Sequence, residues 1–270
     1  MTQTSDLAIE VEHLCKQFGE VRAVNDVSFT VAAGECFGLL GPNGAGKSTT
    51  IKMLTTLLKP DAGRVRIAGW DLAVQPTRVR ASIGYVPQAL SVDGSLTGYE
   101  NLLIFSKLFG LTRRERRQRI PQTLAMLGLE DAAQRRVRTY SGGMIRRLEI
   151  GQAILHRPRV LFLDEPTVGL DPVARKGVWD HIEQLRREHG MTILLTTHYM
   201  EEAEQLCGRI AIMSRGQVAA LGSVAELRAQ MGQSDATLDD IFVHFAGAFE
   251  PQGGGMRDVS RSRRTARRLG

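Results

Sequence analysis

The chain has 270 residues, enough for one large domain or two small ones with a substantial core. Hydrophobic residues make up 43% and charged residues 24%, which excludes disordered and fibrous classes. Lys and Arg number 35 against 29 Asp and Glu, a net charge of +6 that, taken alone, points toward nucleic acid or a membrane surface.

That excess is local. Residues 257–270 hold six Arg against one Asp, residues 100–160 hold 13 basic against 5 acidic side chains, and the remainder carries a net charge of −7. Cys15, Cys36 and Cys207 form an odd set without CxxC spacing, as expected of buried free thiols in a reducing cytosol. The first six residues lack the basic and apolar regions of a signal peptide. No apolar run approaches the ~18 residues of a membrane span, so any crossing of a membrane is expected of another chain.

In chain order, Ile9 and Val11, then Val27, Phe29 and Val31, alternate as strands do, with turn signals at Phe18-Gly19 and Ala33-Gly34. Cys36 to Leu40 is a short apolar strand that runs into Gly41, Pro42, Asn43, Gly44, Ala45, Gly46, Lys47, Ser48 and Thr49. This loop fits G-x-x-x-x-G-K-[ST], and the pattern predicts a helix over 49–58 after it. Glycines there let backbone N–H groups wrap a phosphate chain, and the helix N-terminus adds partial positive charge. Lys47 is placed to reach the β- and γ-phosphates and Ser48 to ligate Mg²⁺.

Strands are expected over 64–68 and 83–86. Residues 98–156 then become helical and Arg-rich, with Leu102, Leu103, Phe105, Leu108 and Phe109 as an apolar face and Pro121 kinking or restarting a helix. The Ser141-Gly142-Gly143 triplet, flanked by Tyr140 and Met144, precedes a helix over 145–155 and offers a second phosphate-sized nest. One chain has one phosphate loop, so a second nest points to two chains sharing the nucleotide. From residue 160 the order is strand, helix, strand (160–163, 173–189, 192–197), which implies a parallel sheet covered by helices. Asp164 and Glu165 close the first of these strands, at the edge where such sheets bind ligands. Asp164 suits contact with Mg²⁺, and Glu165 suits the general base that polarises an attacking water. Residues 209–213 and 217–221 read as a hairpin. An amphipathic helix over 238–245, capped by Thr237, and a Gly253–Gly255 joint before the Arg tail complete the chain.

Taken together and in this order, the motifs resemble those of the ATP-binding subunit of an ATP-binding cassette (ABC) transporter, over residues 7 to about 225. The Ser141–Gly143 triplet resembles that family's signature, Gln88 its Q-loop, Gly169-Leu170-Asp171 its D-loop and His198 its switch histidine. The resemblance implies an α/β P-loop NTPase with a RecA-like parallel core, an N-terminal antiparallel β-subdomain and a helical signature subdomain near 90–156. An ATPase domain over 1–230, a short helical extension over 231–252 and a flexible tail over 253–270 follow from it. It further implies two copies packed head to tail, each ATP lying between one chain's phosphate loop and the other's signature, with Asp171 in the nucleotide site. By that resemblance His198 holds the γ-phosphate and water, while Gln88 contacts Mg²⁺ and reports to a membrane partner.

Several positions depart from the commonest pattern. Tyr140 and Met144 replace Leu and Gln around the signature core, and Val168 replaces a frequent Ser before the D-loop. Phe18 stands where a Tyr often stacks on adenine, and reads equally as a stacking ring or as core. The sequence from Tyr140 to Leu148 and the segment 238–242 resemble the drug-resistance branch similar to daunorubicin exporters. The expectation is a cytoplasmic, membrane-peripheral, homodimeric ATPase that uses ATP and Mg²⁺ to drive a separate permease exporting a drug-like or amphipathic compound. The Arg clusters at 113–119 and 135–138 lack interleaved aromatics and read as the solvated face of helices, so no nucleic acid is expected. The Arg tail reads as a mobile extension, with anionic-lipid contact as the alternative.

Overall fold

A computed structural model of the chain describes residues 7–247; the Gly253–Gly255 joint and the Arg tail lie outside the described residues. The chain opens with β1 (Leu7–Phe18) and β2 (Val21–Ala32), an antiparallel pair, followed by β3 (Cys36–Leu40) and α1 (Lys47–Leu54). Then come β4 (Ala62–Ile67), β5 (Trp70–Asp71), α2 (Pro76–Ser82) and β6 (Ile83–Val86). The stretch up to the next strand is helical: α3 (Gly98–Leu108), α4 (Arg113–Met126), a 3₁₀ turn (Val137–Thr139) and α5 (Gly142–Ile154). The last part alternates, with β7 (Val160–Asp164), α6 (Pro172–His189), β8 (Thr192–Thr197), α7 (Met200–Leu206), β9 (Arg209–Ser214) and β10 (Gln217–Gly222). Two helices, α8 (Val224–Met231) and α9 (Leu238–Gly247), end the described chain.

These strands form two sheets. The four-stranded one, ordered β2-β1-β4-β5, is antiparallel. The six-stranded one, ordered β10-β9-β3-β8-β7-β6, is parallel except for its edge strand β10. Every residue of β3, β7 and β8 is buried, as expected of central parallel strands covered on both faces. Phe29 and Phe37 stack with ring centroids 5.3 Å apart, joining the two sheets in a core that also holds Ile9, Ile51 and Phe162. A second core lies under α3 to α6, and a third, smaller one under α7 to α9.

Register sets the working edge of the larger sheet. Leu40 pairs with Thr197, Thr196 with Asp164, and Leu163 with Val86. The residues that follow β3, β6, β7 and β8 therefore emerge side by side, although they are far apart in sequence.

Local structure differs from the periodicity at α1, at Pro121 and at the short helices α2, α7 and α8. The first helix starts at Lys47, because Gly46 enters it with φ 104, and ends at Leu54, where the amides of Leu57 and Leu58 fold back to the Lys52 carbonyl. Pro121 does not restart a helix: α4 runs through it. Pro121 and Arg117 are both exposed, so the carbonyl left without its donor faces water. Helices α2, α7 and α8 carry too few turns to show a period, although Pro76 at the start of α2 and the Ser223–Glu226 capping box of α8 are start signals. Thr237 does cap α9, exchanging hydrogen bonds with Asp240.

Candidate active site

The phosphate loop is shaped by its neighbours. A Cβ on Gly46 would collide with the Ala23 carbonyl, and one on Gly41 would lie 2.6 Å from the Met213 carbonyl. Arg215 and Gly216, both at positive φ, make the two-residue turn of the β9–β10 hairpin. Gly216 donates its N–H to the Ala45 carbonyl at 3.0 Å and accepts from Asn25 N–H at 2.8 Å. The smaller sheet, the hairpin turn and the loop thus brace one another.

Lys47 is 4% exposed; its ammonium donates to the carbonyls of Gly41 at 2.7 Å and Pro42 at 3.2 Å and lies 3.6 Å from Glu165 Oε1. Burial holds its pKa below the usual lysine range, while Glu165 and then Asp164 pull it back up. The Tyr85 phenol is pushed up to about 12, by burial first and by Asp164 second.

Thr196 organises the two acids. Its hydroxyl donates to Asp164 Oδ1 at 2.6 Å and accepts the Glu165 N–H at 3.0 Å; the same N–H reaches the Thr196 carbonyl at 3.1 Å. Asp164 Oδ1 also accepts from the Ser48 hydroxyl at 3.2 Å. Glu165 sits at φ 49, a left-handed conformation that costs a non-glycine residue on the order of 1 kcal/mol. That turn aims its carboxylate along the sheet edge instead of into the core. Gln88 Nε2 donates to Glu165 Oε2 at 3.1 Å, and His198 Nδ1 lies 3.3 Å from Oε1.

Of these side chains Lys47, Ser48, Gln88 and Glu165 line a cavity of 300 Å³, together with Phe18, Ala23, Asn43, Gly44, Ala45, Gly46 and Thr49; Asp164, Thr196 and His198 lie behind or beside that lining. Phe18 is 50% exposed, with the Lys16 ammonium 5.5 Å from its ring, so the core reading of this residue is wrong. A larger hollow of 780 Å³ lies by the opposite ends of the parallel strands, among Ala8, Trp70, Arg159 and Thr192, and contains none of the motif residues.

Ser141, Gly142, Gly143 and Asp171 are not among the residues lining the phosphate-loop cavity. They form a second cluster. Ser141 is exposed and caps α5, accepting from Met144 N–H at 3.3 Å, and Asp171 caps α6, accepting from Val173 and Ala174. A Cβ on Gly142 would lie 3.1 Å from Leu170, and one on Gly143 3.0 Å from Ala174, so the two helix starts abut. Tyr140, in the place of a leucine, is buried and donates its hydroxyl to the Ala132 carbonyl at 2.6 Å.

An ABC transporter family model matches residues 24–168. The chain belongs to this family. The linearmycin resistance ATP-binding protein LnrL of Bacillus subtilis is 42% identical over 83% of this chain and 72% of its own length. The daunorubicin/doxorubicin resistance ATP-binding protein DrrA of Streptomyces peucetius is 47% identical over 84% and 68%. A Nod factor export ATP-binding protein I of Rhizobium sp. is 47% identical over 81% and 72%. Among solved structures, an ATP-binding subunit of an ABC transporter has a TM-score of 0.78 at 34% identity, covering 88% of this chain and 99% of that one. A dimeric cassette in a post-hydrolysis state with ADP and Pi has a TM-score of 0.70 at 28% identity, covering 80% and 98%. This ABC subunit is therefore an ATPase with the P-loop fold, and energises a separate membrane permease.

The donors of the cassette's site also fit a divalent ion. Ser48, Asp164 and Gln88 offer a hydroxyl, a carboxylate and an amide, too few for an all-protein cage. Such a set suits Mg²⁺, which keeps several waters and shares its coordination with substrate phosphates. Sequence reasoning missed Thr196, because its role depends on the Thr196–Asp164 register and not on any motif of its own.

Proposed function

We propose that two copies of this chain close head to tail on two Mg²⁺–ATP, and that hydrolysis drives export of a drug-like or amphipathic compound through an integral membrane permease. The observation that carries the site assignment is the meeting of Lys47, Gln88 and His198 on the Glu165 carboxylate, which lines the phosphate-loop cavity. In this reading the loop amides and Lys47 hold the phosphates, and the half-exposed Phe18 stacks on the base. Mg²⁺, held by Ser48 and Asp164 with Gln88 beside it, supplies positive charge that offsets the developing phosphate charge.

Glu165 orients the attacking water and takes its proton, its angle set by the Thr196 hydroxyl. His198, across the carboxylate from Gln88, contacts the γ-phosphate. The nest of exposed Ser141 and Gly142 with buried Gly143, outside its own chain's cavity, supplies amides to the nucleotide of the second copy. The homodimer then contains two complete sites. Among the described residues no helix is long and apolar enough to cross a membrane, and we place the subunit on the cytoplasmic face of the permease. Export of an amphipathic compound is supported by the resistance and export roles named for its relatives.

The test is to co-express the chain with a candidate membrane permease, and to measure ATP turnover in vesicles and with duplex DNA. Turnover raised by the permease and unmoved by DNA supports the reading. Turnover raised by DNA alone rejects it.

A further inference from the structure

The segment that carries Gln88 leaves β6 and crosses the flank of α5, and buried polar side chains fasten it there. Arg146 Nη1 donates to the Pro87 carbonyl at 2.9 Å and Nη2 to the Gln88 carbonyl at 3.1 Å. Glu149 Oε1 accepts the Ser91 N–H at 2.5 Å and the Ser91 hydroxyl at 3.0 Å. Arg146 and Glu149 lie on adjacent turns of α5, pair at 3.0 Å, and are 3% and 2% exposed. Further along, Asn101 accepts the Asp93 N–H at 3.0 Å and returns its amide to the Asp93 carbonyl at 3.0 Å, while Gln152 of α5 reaches Asn101 at 3.4 Å. Burying two charges rarely adds stability over an apolar pair of similar volume, whereas it does restrict the geometries that satisfy both. Neither residue lines the nucleotide cavity, so their chemistry is not spent on the ligand.

Helix α5 begins at the Ser141–Gly143 nest, and the fastened segment ends in an amide that holds Glu165. We infer that Arg146 and Glu149 are positioning residues that lock the Gln88 segment to α5, so that the nest facing one nucleotide and the Gln88 side chain facing the other move as one body. This inference rests on the proposed roles of Gln88 and the nest. Its consequence is that a displacement of Gln88 at one site is carried along a rigid helix to the second site, without passing through the parallel sheet.

The experiment replaces both charges in the full chain, Arg146→Met with Glu149→Met, and reads two quantities. Hydrogen exchange of the Ser91 amide, whose N–H Glu149 accepts, should rise about tenfold with α1 and β3 unchanged, because the tether is lost locally. Exchange at Ser91 equal to wild type overturns the inference. The second readout is a double-mutant cycle with Gln88→Ala. We expect the paired substitution to lower kcat about tenfold in the wild-type background and not at all in Gln88→Ala, since both act through one group. Equal losses in the two backgrounds overturn it. If the wild-type chain turns over no ATP, the proposed function fails, and the exchange measurement alone decides the tether. Should the paired variant not fold, Arg146→Lys keeps the charge but can serve only one of the two carbonyls. It should raise exchange at the Ser91 amide about threefold, and no rise contradicts the lock.

Discussion

Glu165 is strained, buried and surrounded. Its left-handed backbone is held by an N–H shared between the hydroxyl and carbonyl of Thr196, and its two carboxylate oxygens are divided between Lys47 and His198 on one side and Gln88 on the other. Glu165→Gln preserves the shape and the amide contacts but removes the proton acceptor. We expect nucleotide affinity within about threefold of wild type and ATP turnover reduced about a thousandfold, read by phosphate release. Thr196→Val keeps the volume and removes the hydroxyl that links Asp164 to Glu165. It should lower kcat about tenfold or more and lower stability by about 1–3 kcal/mol, read by steady-state kinetics and urea unfolding. Ser141→Arg should leave nucleotide binding to the monomer intact and block hydrolysis; a monomer that no longer binds ATP would contradict the assignment of the nest to a second copy. The phosphate loop, the acid pair and the nest were legible in the sequence because residue type and spacing suffice to identify them. Thr196, Arg146 and Glu149 were not, because their partners lie 32, 58 and 58 residues away and are chosen by strand register and by the path of a loop.

At the scale of elements, periodicity located the long strands and helices, and the local chemistry of caps explains several boundaries that periodicity left open. Thr97, Thr112 and Ser223 each open a helix with a capping box to Glu100, Glu115 and Glu226. Hydrogen bonds from the cap backbone and hydroxyl hold these carboxyls below their ordinary value of 4.5. Asp240 is lowered by Thr237 in the same way from 3.8. A carboxyl lowered on folding contributes stability that is complete above its unfolded value and lost as pH falls through the folded one. Buried Glu149, raised chiefly by desolvation, acts in the opposite sense. With the lowered groups in the majority, the urea midpoint should decline as pH is reduced below about 4.5, and a flat profile there would contradict the cap assignments. The hairpin turn gives a second test. Gly216 has φ 79, and a Cβ there would lie 2.9 Å from the Ala23 carbonyl, so Gly216→Ala should cost at least about 1 kcal/mol of stability and weaken ATP binding by loosening Ala45. Urea unfolding and nucleotide titration read both effects.

For the whole molecule, the positive net charge does not map onto the candidate site. The exposed arginines of α4 and of residues 135–138 lie on the helical part, while Arg146 from the same basic region is buried against Glu149. The phosphate loop and Lys47 line a cavity at the edge of the parallel sheet, and the Ser141–Gly143 helix start lies apart from it, against the start of α6 that Asp171 caps. In the proposed function, a chain with its phosphate loop and its nest in separate places completes its site by pairing with a second copy. The most direct measurement is the mass of Glu165→Gln by light scattering, with and without Mg²⁺–ATP, set beside the wild type under turnover. The account predicts that ATP converts the variant from monomer to a lasting dimer, that adding Ser141→Arg abolishes this dimer, and that the wild type, which hydrolyses its nucleotide, returns to monomer. A variant that binds ATP and remains a monomer would contradict the composite site.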